Sequence, residues 1–285
     1  MLTGSDGRCV GLCQLLHYSL PFIGGVTRVN GGPVYASATD ESASPVPASD
    51  LLEALSHYLA TRRFWKVDWL PNLEHGEPAN DLMSRLGCTR VGRGWSSALL
   101  AIDHHVDALR AHLHGKWRNL LKKSEKQGVE LELADASEGL AFVLPRYEAF
   151  QRDKGFQGHS KKLLHAMLGT DGQAWDPRIM FARHDGDRVG GIMVVGHGDT
   201  ATYLLGWTPE AGRRLNSNYF LLWQALLYFR SKGFRYLDVG GLGENTPNGI
   251  AHFKKGLKGE DDALAGKFCT GWRWPFGKRG RVHGV

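Results

Sequence analysis

Between Gly233 and Gly259 the chain reads GFRYLDVGGLGENTPNGIAHFKKGLKG, an order that few folds accommodate. Phe234 to Val239 carries the β-forming, apolar residues of a strand inside a sheet, and Gly240-Gly241 lets the backbone turn where a Cβ would obstruct it. Asp238 is thereby set at the carboxyl end of that strand, the edge at which open α/β sheets hold ligands. A short basic helix is expected over Ile250 to Leu257, carrying Lys254 and Lys255, with Lys258 just beyond it. A strand, a turn and a solvated basic face would use the same residues, so the remainder of the chain has to decide between them.

The 285 residues are enough for one large or two modest domains, and 42% hydrophobic with 22% charged residues is an ordinary globular balance. No apolar run reaches the length of a membrane helix, and the first residues, MLTGSDGRCVGLC, lack the layout of a signal peptide. A cytoplasmic protein is expected. Cys9, Cys13, Cys88 and Cys269 match no zinc or redox spacing and are expected as reduced thiols. The thirteen histidines form no helical metal pair, so neither a metal nor a cofactor is expected. The net charge of +6 favours an anionic partner such as a nucleic acid, a nucleotide or an acidic membrane surface.

Periodicity divides the chain into alternating strands and helices. Residues 10–36 read as strands and a hairpin with a turn at Gly31-Gly32-Pro33. A helix capped by Ser49 or Asp50 presents Leu51, Leu52, Leu55, Tyr58 and Leu59. Phe64 to Leu70 alternates as a strand, Asp81 to Leu86 is a short helix closed by Gly87, and Trp95 to Ile102 is a further strand. One long amphipathic helix is expected from Val106 to Gln127, with Val106, Leu109, Leu113, Trp117, Leu120 and Leu121 on its apolar stripe. Its other faces hold Arg110, Lys116, Arg118, Lys122, Lys123 and Lys126, either a solvated face or a wall for a polyanion.

After a strand at Val129 to Leu133 come helices from Ser137 to Arg152 and from Lys161 to Leu168. Three strands follow, Ile179 to Arg183, Val189 to Gly196 and Thr200 to Trp207, with Asp185-Gly186 as a hairpin signal. An apolar helix, Tyr219 to Arg230, precedes the opening stretch, and Lys267 to Trp274 is a last strand before a polar tail. LLEALSHYLATRRFWKVDWL and LLWQALLYFRSKGFRYLDVG share one helix-to-strand layout. Two related α/β units with mixed sheets are expected, 1–130 and 131–285.

The second unit has the layout of an N-acetyltransferase core of the GNAT type. In that family a glycine-bearing loop before the helix holds the pyrophosphate of coenzyme A on backbone amides. Here the loop is Arg213-Arg214-Leu215-Asn216-Ser217-Asn218, with asparagine at both glycine positions. A GNAT-like fold with a disabled coenzyme A loop is the expectation, and Arg213, Asn216 and Asn218 remain candidate substrate contacts.

Six collinear pieces carry a closer resemblance: GGPVYA from Gly31, HGKWRNLLKKSEKQGVELE from His114, RYEAFQRDKGF from Arg146, MFARHDGDRVGGIMVV from Met180, ATYLLGWTPEAGRRLNSNYFLLWQAL from Ala201, and DVGG with NGIAHFKKGLKG from Asp238. In these the chain resembles the FemABX group of peptidoglycan aminoacyltransferases, built from two GNAT-like domains. The resemblance implies transfer of an amino acid from aminoacyl-tRNA to an amine of a peptidoglycan precursor stem peptide, nucleotide-linked or lipid-linked. It implies that Phe253 and Lys254 lie near the reacting ester and that Arg152 and Tyr203 hold the precursor's nucleotide-sugar part. Lys116, Arg118, Lys122, Lys123, Lys255 and Lys258 are then candidate tRNA contacts. Each has an ordinary alternative: Lys254 solvated, Tyr203 a core residue, Arg152 paired with Asp153 or Glu148.

Two departures bear on the acceptor. Family members begin with an extra strand and helix before the region matched by Val10, and this chain lacks the helical hairpin that some members carry.

Aminolysis of an ester needs a neutral amine and stabilises a developing oxyanion, which a lysine ammonium can do. Direct transfer needs no nucleophilic triad, and either Asp238 or the substrate itself is the expected proton acceptor. Two other classes compete: an acyl-CoA N-acyltransferase, and a non-catalytic RNA-binding protein using the Arg110–Lys126 helix.

Overall fold

A helix that is apolar on every side has to be buried, and residues 217–231 form one: Phe220, Leu221, Leu222, Trp223, Ala225, Leu226 and Phe229 are all buried. Each large side chain of this kind contributes about 1.5–3 kcal/mol on leaving water. The computed structural model describes residues 1–4, 7–20, 24–35, 46–62, 64–155, 158–169, 175–244 and 246–270. Parts of the expected hairpin region over 10–36, the end of the last expected strand beyond Thr270 and the polar tail lie outside them.

From the N-terminus run β1 (Leu2–Thr3), β2 (Cys9–Leu12), β3 (Leu15–Leu20), β4 (Gly24–Asn30), β5 (Val34–Tyr35), α1 (Ala48–Ala60), β6 (Phe64–Leu70), α2 (Glu77–Arg85) and β7 (Cys88–Gly92). Then come β8 (Ser96–Ala101), α3 (Val106–His112), α4 (Gly115–Lys126), β9 (Glu130–Ala134), α5 (Ala136–Lys154), α6 (Lys161–Leu168), β10 (Trp175–His184), β11 (Asp187–His197) and β12 (Thr200–Trp207). The chain continues through α7 (Glu210–Arg214), α8 (Ser217–Ser231), β13 (Tyr236–Asp238), α9 (Asn248–Lys255), β14 (Glu260–Ala263) and β15 (Lys267–Thr270).

Contacts divide the chain into two units, Met1–Trp95 with Ala263–Val285, and Ser96–Asp262. These cuts differ from the expected division at 130/131. In the first unit a five-stranded sheet has the order β3-β4-β6-β15-β7, beside a three-stranded sheet β1-β2-β5. In the second a seven-stranded sheet has the order β14-β8-β13-β12-β11-β10-β9. Both are mixed, because β4 runs parallel to β6 and β12 parallel to β13, while β3–β4, β6–β15, β11–β12 and β8–β13 are antiparallel. The shared helix-to-strand layout of the sequence is the parallel crossover of each unit: β4-α1-β6 in one and β12-α8-β13 in the other.

The two units are closed the same way. In the first, β15 enters between β6 and β7; in the second, β8 enters between β13 and β14. Each closing strand comes from a distant part of the sequence. Leu99, Leu100 and Ala101 of β8 pair with Asp238, Leu237 and Tyr236, which moves residues 96–130 into the second unit.

The expected single helix over 106–127 is two helices. Leu113 and His114 both take extended ψ values, 146° and 137°, and the His114 N–H donates to the Gly256 carbonyl at 3.0 Å instead of continuing a helix. Leu109, Leu113, Trp117 and Leu121 stay buried across the break, because both helices follow the same core. Other boundaries moved less. α1 begins after Pro47, with Ser49 and Asp50 inside its first turn rather than capping it. α5 begins at Ala136, one residue ahead of the expected start, and Asp135 caps it by accepting the N–H groups of Ser137 and Glu138. β13 covers three residues because Phe234 and Arg235 precede the ladder and Val239 follows it.

The four cysteines are free. Burial, and then the neighbouring Cys269, push the Cys88 thiol up to about 12. Among the described residues no cluster suits a metal ion, and no helix is long and apolar enough to cross a membrane.

One glycine links β11 to the turn before α8. A Cβ on Gly212 would sit 1.7 Å from the Val189 carbonyl oxygen and 2.7 Å from Ser217 Oγ. Since the first contact is backbone, Gly212→Ala is expected to destabilise by about 1–3 kcal/mol, seen as a lower urea midpoint with an unchanged m-value.

Candidate active site

The parallel pairing of β12 with β13 ends at Thr202 and Asp238. Beyond that rung β12 continues to Trp207 along β11, while the chain after β13 follows β8: Val239 N–H donates to Ala98 O and Leu242 N–H to Ser96 O. Gly240 makes the departure, with φ of +70°, and a Cβ there would lie 2.3 Å from the Tyr203 carbonyl. Only glycine suits both the angle and the approach.

Lys254 fills the space so opened. It is 7% exposed, its Nζ donates to the Gly241 carbonyl at 2.9 Å, and it lies 5.4 Å from the centre of the Tyr203 ring, within cation–π range. Burial lowers the Lys254 ammonium to about 8, and the Asp238 charge opposes that shift. Tyr203 is driven the other way, above the usual phenol range, by burial and then by Tyr147.

Asp238 is held from three sides. Oδ1 accepts from Ser97 Oγ and, at 2.8 Å, from the Gly240 N–H; Oδ2 accepts from Thr202 Oγ1 at 3.2 Å. Thr202 in turn lies 2.8 Å from His197 Nε2. With three acceptor positions of the carboxylate filled, Asp238 organises the turn and faces the lysine charge. One acceptor position, on Oδ2, is left for the expected role of proton acceptor.

Phe253 points away from Lys254 into an aromatic group. Its ring stacks on Trp117 at 6.1 Å and meets Tyr219 edge-on at 5.0 Å. Trp117 Nε1 donates to the Phe253 carbonyl at 3.1 Å. These two partner rings border a surface cavity of about 140 Å³ lined by His114, Lys116, Trp117, Tyr219, His252, Lys255 and Gly256. Its lining thus combines two lysines and two histidines with two aromatic rings and no carboxylate. The break between α3 and α4 places His114 and Lys116 at its edge, and the end of α9 supplies His252 and Lys255.

The other predicted residues are placed separately. Lys122, Lys123 and Lys258 are exposed, and Arg118 donates to the Ala111 carbonyl at 2.9 Å. Arg152 is exposed on α5. Arg213 lies 3.9 Å from Glu210. Asn216 adopts the left-handed conformation, φ 58° and ψ 34°, at the start of α8, a backbone state that glycine and asparagine reach more readily than other residues. Asn218 Oδ1 accepts from Thr208 Oγ1, and buried Ser217 Oγ donates to the Val189 carbonyl at 3.0 Å.

Sequence reasoning missed Ser97, Thr202, Tyr147, His114, Tyr219 and His252, and it treated Trp117 as core stripe alone. Proximity in sequence could have raised His252, which precedes Phe253-Lys254; no local signal marks Ser97.

Residues 108–255, more than half of the chain, match the family described as an acetyltransferase (GNAT) domain. No curated protein matches the chain. Among solved structures, FemX aligns with a TM-score of 0.74 at 17% identity, over 94% of this chain and 86% of its own. L-PGS from Bacillus licheniformis aligns with a TM-score of 0.56 at 12% identity, over 94% and 82%. A tandem GNAT protein from the clavulanic acid biosynthesis pathway aligns with a TM-score of 0.51 at 13% identity, over 93% and 80%. At these identities the likeness is one of fold: two GNAT-like units in tandem.

The buried lysine has a thermodynamic signature. Below pH of about 8 the folded state carries a charge that burial disfavours. Between about 8 and 10.5 the unfolded chain still binds a proton that the folded protein has lost, so wild-type stability rises with pH there. Lys254→Met is therefore expected to be more stable at pH 7 by about 1–2 kcal/mol. The difference should shrink towards pH 10, as read from denaturant unfolding at several pH values. A less stable variant at pH 7 would contradict this electrostatic account.

Proposed function

The chain belongs to the acetyltransferase (GNAT) domain family, and from that premise we propose that this acyltransferase moves an amino acid from aminoacyl-tRNA to an amine of a peptidoglycan precursor, in the cytoplasm. One observation carries the proposal: an ammonium group, Lys254, is buried where the sheet opens, next in sequence to Phe253, whose ring backs the Trp117 and Tyr219 that line a cationic aromatic pocket. Burying a charge is costly unless the site uses it. The FemABX resemblance and the FemX-like fold supply the direction of the reading.

The incoming amine attacks the ester carbonyl, whose oxygen gains negative charge. Lys254, charged below about pH 8, stabilises that oxygen or the nearby terminal phosphate. Tyr203 supports the lysine through its ring, and Asp238 raises its affinity for the proton. The pocket takes the 3′ end of the tRNA: the partly exposed Tyr219 ring, backed by buried Trp117, offers an aromatic surface for a base, while Lys116 and Lys255 meet phosphates. Arg152, on α5, takes the nucleotide-sugar part of the acceptor. The remaining exposed lysines of α4 and Lys258 extend the basic surface along the RNA.

A second reading, acyl transfer from coenzyme A, is favoured by the left-handed Asn216, whose backbone state is one that glycine also reaches readily. The two are separated by supplying the full chain with aminoacyl-tRNAs bearing labelled amino acids and a UDP-linked muropeptide. Labelled muropeptide that is lost after ribonuclease treatment is expected, and Lys254→Met should reduce kcat at least tenfold. Acylation by acetyl-CoA with no tRNA-dependent product would sink the aminoacyl-tRNA reading.

Finer variants divide the roles. Asp238→Asn removes the charge that props up the lysine, so the alkaline limb of the pH–rate profile should move from about 8 to lower pH. Lys116→Ala with Lys255→Ala should raise KM for tRNA about tenfold with kcat little changed. The same pair should flatten the salt dependence of tRNA binding by about 1.4 in the log–log slope.

A further inference from the structure

We propose that Trp117 is a positioning residue for Lys254: its indole N–H holds the end of α9 from which the lysine is presented, and the His112 imidazole is a second tie on the same end. The inference deepens the transfer reading above and rests on it only for the chemistry that Lys254 performs. The end of α9 leaves carbonyls that its own backbone does not use. The Gly256 N–H donates four residues back, to the His252 carbonyl at 3.2 Å, whereas the Leu257 and Lys258 N–H groups donate three residues back, to Lys254 at 3.1 Å and Lys255 at 3.0 Å. That tightening of the last turn passes over the Phe253 carbonyl.

The corner between α3 and α4 takes this carbonyl and two more. Trp117 Nε1 donates to the Phe253 carbonyl at 3.1 Å in a buried contact. The His114 N–H donates to the Gly256 carbonyl at 3.0 Å, and His112 Nε2 donates to the Lys258 carbonyl at 2.9 Å. Because a carbonyl only accepts, His112 carries a proton on Nε2. The approach at Trp117 is close as well as directional. A Cβ on Gly256 would lie 2.5 Å from Trp117 Cδ1, so the helix end closes on the indole only where no Cβ intervenes. The Trp117 ring also stacks on Phe253 and is met edge-on by Tyr219 at 5.1 Å.

Lys254 follows Phe253 directly, so the indole fixes the backbone from which the lysine departs, while the ammonium is held at its far end by the Gly241 carbonyl at 2.9 Å. A buried carbonyl that loses its donor is left unpaired or draws in water. Either outcome loosens the helix end and hydrates the ammonium beside it. A charge that acts on one developing oxygen is sensitive to displacements of about 1 Å, so the tie at Phe253 reaches the reaction through Lys254.

The test measures Lys254 itself and then turnover. In the full chain with isotope-labelled lysine side chains, the NMR signal of Lys254 is identified by its loss in Lys254→Met and titrated in wild type, Trp117→Phe and Gly256→Ala. Trp117→Phe keeps a ring and removes the donor; Gly256→Ala keeps the donor and props the indole away. In both, the Lys254 titration is expected to rise from about 8 towards the 10.5 of an ordinary lysine as water reaches it. The groups whose charge or ring reaches Lys254 (Asp238, Tyr203 and His159) are unchanged, as are His252 and Lys255 on α9. A loss of global stability alone would leave the titration of the folded molecules where it was, and Asp238→Asn moves it the other way.

In the transfer assay both variants should lose about tenfold in kcat, and the alkaline limb of the pH–rate profile should move up with the titration. His112 is exposed and its removal leaves the core intact, so His112→Ala should lose about threefold with a smaller upward move. His112→Gln, whose amide reaches the same carbonyl, should restore both. An unmoved Lys254 titration in folded Trp117→Phe, or a kcat there within about twofold of wild type, overturns the proposal. Should Trp117→Phe not fold, the same results in Gly256→Ala and His112→Ala overturn it. If acyl-CoA proves to be the donor, the tRNA reading falls, while the NMR titration, and kcat measured with that donor, still decide whether Trp117 positions Lys254.

Discussion

Desolvation of one ammonium group governs the architecture of the second unit. Lys254 stands in the gap where β12 and β13 part, and a charge in that position must find compensation or give up its proton. The chain supplies partial compensation: the Gly241 carbonyl, the face of Tyr203 and the carboxylate of Asp238 at longer range. Each depends on the others. The Gly241 carbonyl is aimed by the turn at Gly240, that turn is held by Asp238, and Asp238 is held by Ser97 and Thr202 on the flanking strands. The outcome is a cation poised near neutrality, which a fully solvated lysine would not be.

The two sheets express one construction rule twice. A parallel crossover sets two strands side by side, and a strand distant in sequence then pairs beside the second of them: β15 in the first unit, β8 in the second. For the site this closure has a direct effect. β8 brings Ser97 against Asp238 and offers Ala98 and Ser96 carbonyls to the chain leaving β13, so the gap that receives Lys254 is kept open by β8 rather than by the crossover itself. The broken helix α3–α4 plays the matching part on the pocket side. His114 gives its N–H to Gly256, and the same contact brings the ends of α4 and α9 together around Trp117.

Much of the fold was legible because its signals are local. The hairpin at Asp185-Gly186 has the positive φ values, 51° and 88°, that the residue pair announces. The apolar helix before β13 could only be buried, and the repeated helix-to-strand layout is the repeated crossover. Legibility failed where a long-range partner decided the outcome. Nothing near His114 says that its N–H will be claimed by Gly256 instead of a residue one turn back. Ser97 looks like any strand serine until β8 is laid beside β13. Tyr147 lies on a helix whose periodicity predicts only packing.

The sequence by itself determined the order of strands and helices, the tandem GNAT-like layout, the basic character of the surface and the candidacy of Lys254, Phe253, Tyr203 and Asp238, because each follows from residue type, spacing or resemblance along the chain. Only the tertiary structure decided which lysine is buried, which carboxylate is already occupied and which aromatic rings line the pocket. Those properties belong to desolvation and to neighbours distant in sequence, and neither exists until the strands have paired.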